Sequence, residues 1–110
     1  MESSPILEAK KRIKQCLKNS DSFLDLSNID LKSIPELNSL PNLRKLNLSK
    51  NHITQIENLD GLTRLFELDL SDNNIEEINN ISKLYGLSTL NLTNNQIKKM
   101  VVFQKVCCSF

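Results

Sequence analysis

The chain has 110 residues, of which 39% are hydrophobic and 25% charged, a composition typical of one globular domain rather than a disordered segment. It has no tryptophan, 2 glycines and 3 prolines, which favours an aliphatic core and argues against an all-β protein with many tight turns. The net charge is +1, but the middle of the chain is acidic, since residues 21–96 hold eleven acidic and six basic residues. This middle repels phosphates, so we expect no nucleic acid partner.

Three features of the sequence bear on the compartment of the protein. No apolar stretch is long enough to cross a bilayer, and the N-terminus lacks the basic-then-apolar order of a signal peptide. The three cysteines are an odd number, and Cys107 and Cys108 are adjacent, which favours reduced thiols. We therefore expect a cytoplasmic protein, with the nucleus as the alternative. The N-x-[ST] sequons are then coincidences of an asparagine-rich repeat, and they begin at Asn47, Asn80 and Asn91.

The first predicted element is an amphipathic helix over residues 4–20. Ser4 is a suitable N-cap, and Pro5 fits the first helical position. Apolar residues then recur at helical spacing, with lysines and Arg12 on the opposite face. We predict that this helix caps the repeats that follow, because the first coil of a solenoid needs a cover. As alternatives, a basic amphipathic helix can lie on an anionic membrane or bind calmodulin.

After the helix, the sequence repeats with a period of 22 residues. A shift by one period superimposes Leu46 on Leu68 and Leu90, and it also superimposes three asparagines. The shared unit reads L-x-x-L-x-L-x-x-N-x-I-x-x-I-x-x-L-x-x-L. The copies are an atypical first repeat at 22–42, regular repeats at 43–64 and 65–86, and a last repeat at 87–106.

This pattern resembles the leucine-rich repeat family. The 22-residue period is similar to the class found in protein phosphatase type 1 regulatory subunits, axonemal dynein light chains and bacterial internalins, and the resemblance covers residues 22 to about 100. The entry from the cap into residues 23–27, FLDLS, is also similar to that of Roco-type repeat domains, although no G-x-x-x-x-G-K-[ST] motif accompanies it. The resemblance implies an α/β fold: a short horseshoe-shaped solenoid with a parallel β-sheet on its concave face and an N-terminal helical cap. It does not imply one function, since this repeat serves unrelated partners.

The residues of each repeat predict one short strand and one loose return. Around Leu46 and Leu48, apolar and polar residues alternate as in a strand with one buried face. The asparagine that follows sits where the chain turns away, and its amide can satisfy backbone groups of the bend. Later apolar residues recur at intervals of three, which favours 3₁₀-like turns or loops on the convex side. The predicted structural asparagines are Asn51, Asn73 and Asn95.

The outward residues of successive strands should lie side by side in three rows. The first row contains Phe23, Lys45, Glu67 and Thr89. The second row contains Asp25, Asn47, Asp69 and Asn91. The third row contains Ser27, Ser49, Ser71 and Thr93. This face is either merely solvated or a partner-protein site, and we predict the latter for the first two rows, because an aromatic anchor and charges set affinity and register. Packing of Phe23 under the cap helix stays open as an alternative.

The C-terminal residues continue the period without starting another leucine repeat, and residues 107–110 are assigned to a tail. An uncovered last coil favours self-association through its free C-terminal edge, or marks the chain as a truncated product. The last four residues also fit the bare C-a-a-X frame, with Cys107 as the residue that could carry a lipid.

The sequence contains no recognisable catalytic set. His52 is the only histidine and follows a strand in an expected exposed turn. The cysteines lack zinc-site spacing, and the carboxylates do not cluster as in calcium loops. We therefore predict no enzyme activity, no cofactor and no metal, and interpret the chain as a protein-interaction module or scaffold that binds an unidentified protein. The alternative is a peripheral membrane protein that uses the basic helix.

Overall fold

The computed structural model describes residues 4–100 and 107–109, with side chains described over residues 4–99. Residues 101–106 and 110, which belong to the predicted last repeat and tail, lie outside the described residues. The chain opens with helix α1 (Ser4–Asn19), as the apolar spacing predicts. α1 buries Ala9 and Cys16 against the first coil, while its lysines stay exposed.

A residue with a left-handed backbone conformation ends α1. Ser20 has a φ of 55°, and its N–H donates to the carbonyl oxygen of Leu17 at 3.2 Å. The N–H of Asp21 donates to the carbonyl oxygen of Cys16 at 3.1 Å. These two bonds satisfy carbonyls that the helix end would leave unpaired, and they direct the chain into the sheet.

Parallel strands form the main sheet, in the order β1-β2-β3-β5-β7, and the first four are one repeat apart. The strands are β1 (Phe23–Asp25), β2 (Lys45–Asn47), β3 (Glu67–Asp69), β5 (Thr89–Asn91) and β7 (Cys107–Ser109). The return side carries a second, two-stranded parallel sheet of β4 (Glu77–Ile78) and β6 (Lys99–Met100). The α/β solenoid with its N-terminal helical cap is thus the fold of the chain.

Strand β7 replaces the tail expected for residues 107–110. It pairs in parallel with β5, with Cys107 opposite Thr89 and Ser109 opposite Asn91. The separation of these partners is 18 residues instead of 22, so the repeat period does not reveal the strand. A parallel ladder is made by backbone groups and does not require the leucine pattern.

The core is an aliphatic stack to which every repeat contributes. Leu24, Leu46, Leu68 and Leu90 are paired neighbours in the sheet and are all buried. On the return side, each coil makes consecutive i to i+3 bonds, such as the Leu62 N–H to the Leu59 carbonyl at 3.0 Å. This is the 3₁₀-like geometry expected from apolar residues three apart.

Asparagine side chains close the bends after the strands. Nδ2 of Asn73 donates to the carbonyl oxygens of Leu48, Leu70 and Ser71 at 3.0–3.1 Å, and its Oδ1 accepts from the N–H of Ile53 at 3.0 Å. The same pattern recurs one repeat away in each direction, at Asn51 and Asn95. Each amide therefore joins two successive coils and satisfies backbone groups that would otherwise be orphaned.

A second asparagine position joins the coils on the return side. Nδ2 of Asn58 donates to the carbonyl oxygen of Ile34 at 2.8 Å, and Nδ2 of Asn80 donates to that of Ile56 at 2.9 Å. Both residues have left-handed backbones, with φ of 60° and 58°. Asn80 was considered above only as part of a sequon, although its 22-residue spacing from Asn58 in the sequence indicates a repeated structural role.

Candidate interaction surface

α1 seals the free edge of β1. A guanidinium nitrogen of Arg12 donates to the carbonyl oxygens of Asp25 at 3.2 Å and Ser27 at 3.5 Å. The thiol of Cys16 lies 3.6 Å from the carbonyl oxygen of Asp21 and 3.7 Å from that of Phe23. The helix thus meets the outward carbonyls of the edge strand and leaves the sheet face uncovered.

The sheet register brings the predicted contact residues together. Phe23 pairs with Lys45, Lys45 with Glu67, and Glu67 with Thr89, so the first row crosses four adjacent strands. The second row lies two residues further along the same strands: Asp25, Asn47, Asp69 and Asn91. A shallow depression of about 210 Å³ lies over the two rows, with Leu46 and Leu68 among its lining residues.

Phe23 is exposed at the edge of this face. Half of its surface (50%) is accessible, so it does not pack under the cap helix. Of the two alternatives that the sequence left open for this side chain, the structure therefore supports the exposed one. An exposed aromatic ring beside charged groups is a typical anchor at protein interfaces.

Each side chain of the second row is oriented by the third-row residue of its own repeat, which follows the strand. The Oδ1 atom of Asp69 accepts from the Ser71 N–H at 3.0 Å and from the Ser71 hydroxyl at 2.7 Å. Equivalent pairs of bonds, 2.6–3.1 Å long, occur in the other three repeats. The members of these pairs are Asp25 with Ser27, Asn47 with Ser49, and Asn91 with Thr93.

These bonds leave one polar atom of each second-row side chain for the face. In Asp25 and Asp69 this atom is a carboxylate oxygen, an acceptor. In Asn47 and Asn91 it is the amide nitrogen, a donor. Among the described residues, none of these four atoms has a hydrogen-bond partner. The row therefore presents acceptor, donor, acceptor and donor on successive strands.

Asp25, at the edge of the face, is ionised at neutral pH. Burial raises the pKa of Asp25, but the Ser27 hydrogen bonds and the nearby Arg12 outweigh it and leave this pKa below its usual value of 3.8. Glu67 is half-buried, and Lys45 is exposed on the neighbouring strand. Within the described part of the chain, neither Glu67 nor Lys45 has an ion pair or side-chain hydrogen bond. Both charges are available to a partner.

An aromatic residue beside the face was missed by the sequence analysis. Phe66 precedes β3 and is 41% exposed, and the Arg44 guanidinium carbon lies 6.0 Å from the centre of its ring. The equivalent positions of the neighbouring repeats hold the polar residues Arg44 and Ser88. The aromatic residue at this otherwise polar position was the feature of the sequence that could have indicated Phe66. Phe66 thus adds an exposed aromatic ring next to the N-terminal end of β3.

A larger groove of about 830 Å³ lies between α1 and the return of the first repeat. Its lining includes Ile6, Ile13 and Leu31, and charged residues that include Lys10 and Glu36. This groove could not be predicted from the sequence, because its walls come from two separate elements. It is distinct from the depression over the first two rows.

Within the part of the chain that the structure describes, the remaining chemistry-bearing side chains do not assemble a site. His52 is exposed, and its Nε2 lies 3.3 Å from a carboxylate oxygen of Asp30. Among the described residues, no group of three or more histidine, cysteine or acidic side chains could hold a metal ion. The described helix is too short and too polar to cross a membrane. Cys107 lies in β7, and lipid attachment to it stays a prediction.

Comparison with known proteins agrees with the architecture. Residues 22–61 and 63–104 match the family model of leucine-rich repeats in two copies. The chain belongs to the leucine-rich repeat family. The finer resemblance to the class of phosphatase regulatory subunits stays a prediction.

Two solved structures similar to this chain come from Listeria monocytogenes. An internalin, InlF, aligns with 22% identity and a TM-score of 0.53, over 92% of this chain and 46% of its own. The functional domain of InlJ aligns with 26% identity and a TM-score of 0.49, over 64% of this chain and 18% of its own. This chain thus spans less than half the length of either. No curated protein matches it.

Proposed function

We propose that this chain is a non-catalytic protein-interaction module that acts in the cytoplasm or nucleus, and that a partner protein binds to the first and second rows of its concave face. Leucine-rich repeat domains generally bind proteins. The stacking of repeats supplies the extended surface on which such binding takes place.

The observation that carries this proposal is the pre-set orientation of the second row. Four side chains on four strands each accept two hydrogen bonds from a serine or threonine, and each keeps one polar atom without a hydrogen-bond partner among the described residues. A partner therefore meets donors and acceptors that need little further ordering, which lowers the entropic cost of binding. Phe23 adds an apolar anchor at the end of the same surface.

Reversal of the charge of two acidic side chains in the centre of the face tests the proposal. Glu67→Lys together with Asp69→Lys should abolish capture of the partner in affinity purification from cells, because two lysines replace the acceptors of β3. The matched control is Glu57→Lys with Asp60→Lys, which makes the same change of charge on the return side of a neighbouring repeat. The control should retain the partner.

Two results would contradict the proposal. One is co-purification of the same proteins with the wild type and with the Glu67 and Asp69 variant. The other is equal loss of the partner from both double variants, which would indicate that overall charge, and not the face, decides binding. Circular dichroism of the three proteins should show the same fold.

A second candidate function is supported by the outer surface of α1. Leu7 is 54% exposed there. Lys11 and Lys14 follow it at helical spacing, so an apolar residue and positive charges share one face. Such a face can bind an anionic membrane. Co-sedimentation with phosphatidylserine vesicles that is lost on Lys10→Gln, Lys11→Gln and Lys14→Gln would favour this function, and no co-sedimentation of the wild type would contradict it.

A further inference from the structure

The concave face is complementary to itself, and we propose that its partner is a second copy of this chain. This inference rests on the proposed function, since it identifies the protein that the first and second rows bind. Two copies would face each other across a two-fold axis parallel to the strands and midway between β2 and β3.

This axis matches the strands of the two copies one to one. It places β2 of one copy opposite β3 of the other, and β1 opposite β5. Both sheets have the same strand spacing of about 4.8 Å, so these four pairs align together, and the fifth strand, β7, lies beyond them opposite the α1 edge of the other copy. The rotation reverses the order of the strands but keeps their direction, so each residue keeps its position along the strand axis. First row therefore meets first row, and second row meets second row.

The first rows then bring opposite charges together. Lys45 of each copy faces Glu67 of the other, which gives two ion pairs for one dimer. Neither side chain has a charged partner among the described residues of its own chain. The long Lys45 and Glu67 side chains border the shallow depression, and they can meet across the space that the depression leaves. At the ends of the row, Phe23 packs against Thr89.

The second rows are complementary for the same reason. Their free atoms alternate as acceptor, donor, acceptor and donor from β1 to β5, and reversing this order gives donor, acceptor, donor and acceptor. Asn47 of one copy faces Asp69 of the other, and Asp25 faces Asn91. Every free carboxylate oxygen thus faces an amide nitrogen, and a bridging water can join the two across the depression. An amide donor also stabilises the ionised carboxylate that it contacts.

Neighbouring registers of the two sheets are disfavoured. A two-fold axis through β2 would place Lys45 opposite Lys45. An axis through β3 would place Glu67 opposite Glu67 and Asp69 opposite Asp69. Like charges in these positions repel, so the charge pattern selects the axis between β2 and β3.

The interface is small. Four strands about 4.8 Å apart, with five residues of about 3.3 Å each, present roughly 300 Å² per copy, well below the about 800 Å² per partner of a stable complex. We therefore expect a weak, reversible dimer that forms at high protein concentration and weakens with salt.

Charge exchange tests the proposal by sedimentation equilibrium of the full chain. Lys45→Glu alone and Glu67→Lys alone should each weaken self-association at least about tenfold, because each replaces two attractive pairs with two repulsive pairs. Lys45→Glu combined with Glu67→Lys should restore it. An equimolar mixture of the two single variants should form a heterodimer, since all charges across that interface are again opposite.

The matched control exchanges another pair of opposite charges. Asp60 and Lys83 lie 3.9 Å apart on exposed positions of the return side, so Asp60→Lys and Lys83→Glu, singly or together, should leave self-association unchanged. Circular dichroism of every variant guards against unfolding.

Three outcomes would overturn the dimer. The wild type could stay monomeric up to millimolar concentration, the single reversals could leave self-association unchanged, or the mixed single variants could fail to associate. A monomeric wild type that still captures another protein through Glu67 and Asp69 overturns the dimer alone. A chain that binds neither itself nor another protein through these residues overturns the proposed function as well.

Discussion

Arg12 and Asp25 join the cap helix to the edge of the sheet: a guanidinium nitrogen of Arg12 donates to the backbone carbonyl oxygen of Asp25 at 3.2 Å. The same guanidinium group reaches Ser27, and Cys16 approaches two further carbonyls of the edge. Side chains of one helix thus perform the role that backbone amides of a neighbouring strand perform elsewhere in the sheet. This explains why a helix can begin a solenoid built from parallel strands.

Loss of this contact should destabilise the protein. We expect Arg12→Ala to lower the free energy of unfolding by about 1 kcal/mol, because the contact is partly exposed and the net gain of such a hydrogen bond is small. Urea denaturation measures the change. Lys11→Ala, on the exposed face of the same helix, should change stability by less than about 0.5 kcal/mol. Equal effects of the two substitutions would contradict a sealing role for Arg12.

Substitution of a buried asparagine should lower the free energy of unfolding more than Arg12→Ala does. Asn73 is 5% exposed and holds four backbone groups from two coils. Asn73→Ala leaves those groups unsatisfied, so we expect a loss of about 3 kcal/mol or more in unfolding free energy. The exposed Asn42 provides the control, and Asn42→Ala should cost less than about 0.5 kcal/mol in the same urea titration. A small effect at Asn73 would mean that water replaces its amide.

One substitution in the bend after β2 should stabilise the protein. Lys50 has a left-handed φ of 58°, whereas Asn28 and Asn94 occupy the equivalent position of other repeats. Asparagine tolerates this conformation better than lysine, so Lys50→Asn should raise the unfolding free energy by about 0.5–1 kcal/mol. Lys50→Ala keeps the unfavourable backbone and should give no gain. Stabilisation by both substitutions would assign the effect to the lost charge instead.

The orientation of the second row should be visible in a pH titration. Because Ser27 and Arg12 hold the pKa of Asp25 below its usual 3.8, Asp25 favours the folded state above that pH, and its contribution is lost as the pH falls through the folded-state pKa. A carboxyl-detected NMR titration should place the transition below 3.8, and Ser27→Ala should move it upward. An unchanged pKa in Ser27→Ala would show that the serine does not orient this side chain.

Much of the fold follows from the sequence, because its signals are periodic. Leu46 and its equivalents predict both the parallel strands and their register, and that register places Lys45 beside Glu67 without further information. The groups that the sequence missed depend on contacts between residues without a shared period. Strand β7 breaks the 22-residue spacing, and the aromatic character of Phe66 is unique to its repeat.

The position of the candidate site could be predicted from the sequence better than its chemistry. The second row could be enumerated from the alternation of each strand, but its alternating donors and acceptors depend on which oxygen each serine or threonine engages. Asp69 and Asn47 make the same bonds through Oδ1, and only the remaining atom differs between them. Spacing in the sequence cannot specify that geometry, because it depends on side-chain rotamers.

The most direct test of the central claim is an NMR footprint of the interaction surface, from amide chemical-shift changes on binding of the partner or on raising the concentration of the chain itself. The largest changes should fall on β2 and β3, at residues 45–47 and 67–69, with smaller changes at Phe23 and Thr89. Changes confined to α1 or to the return segments would contradict it.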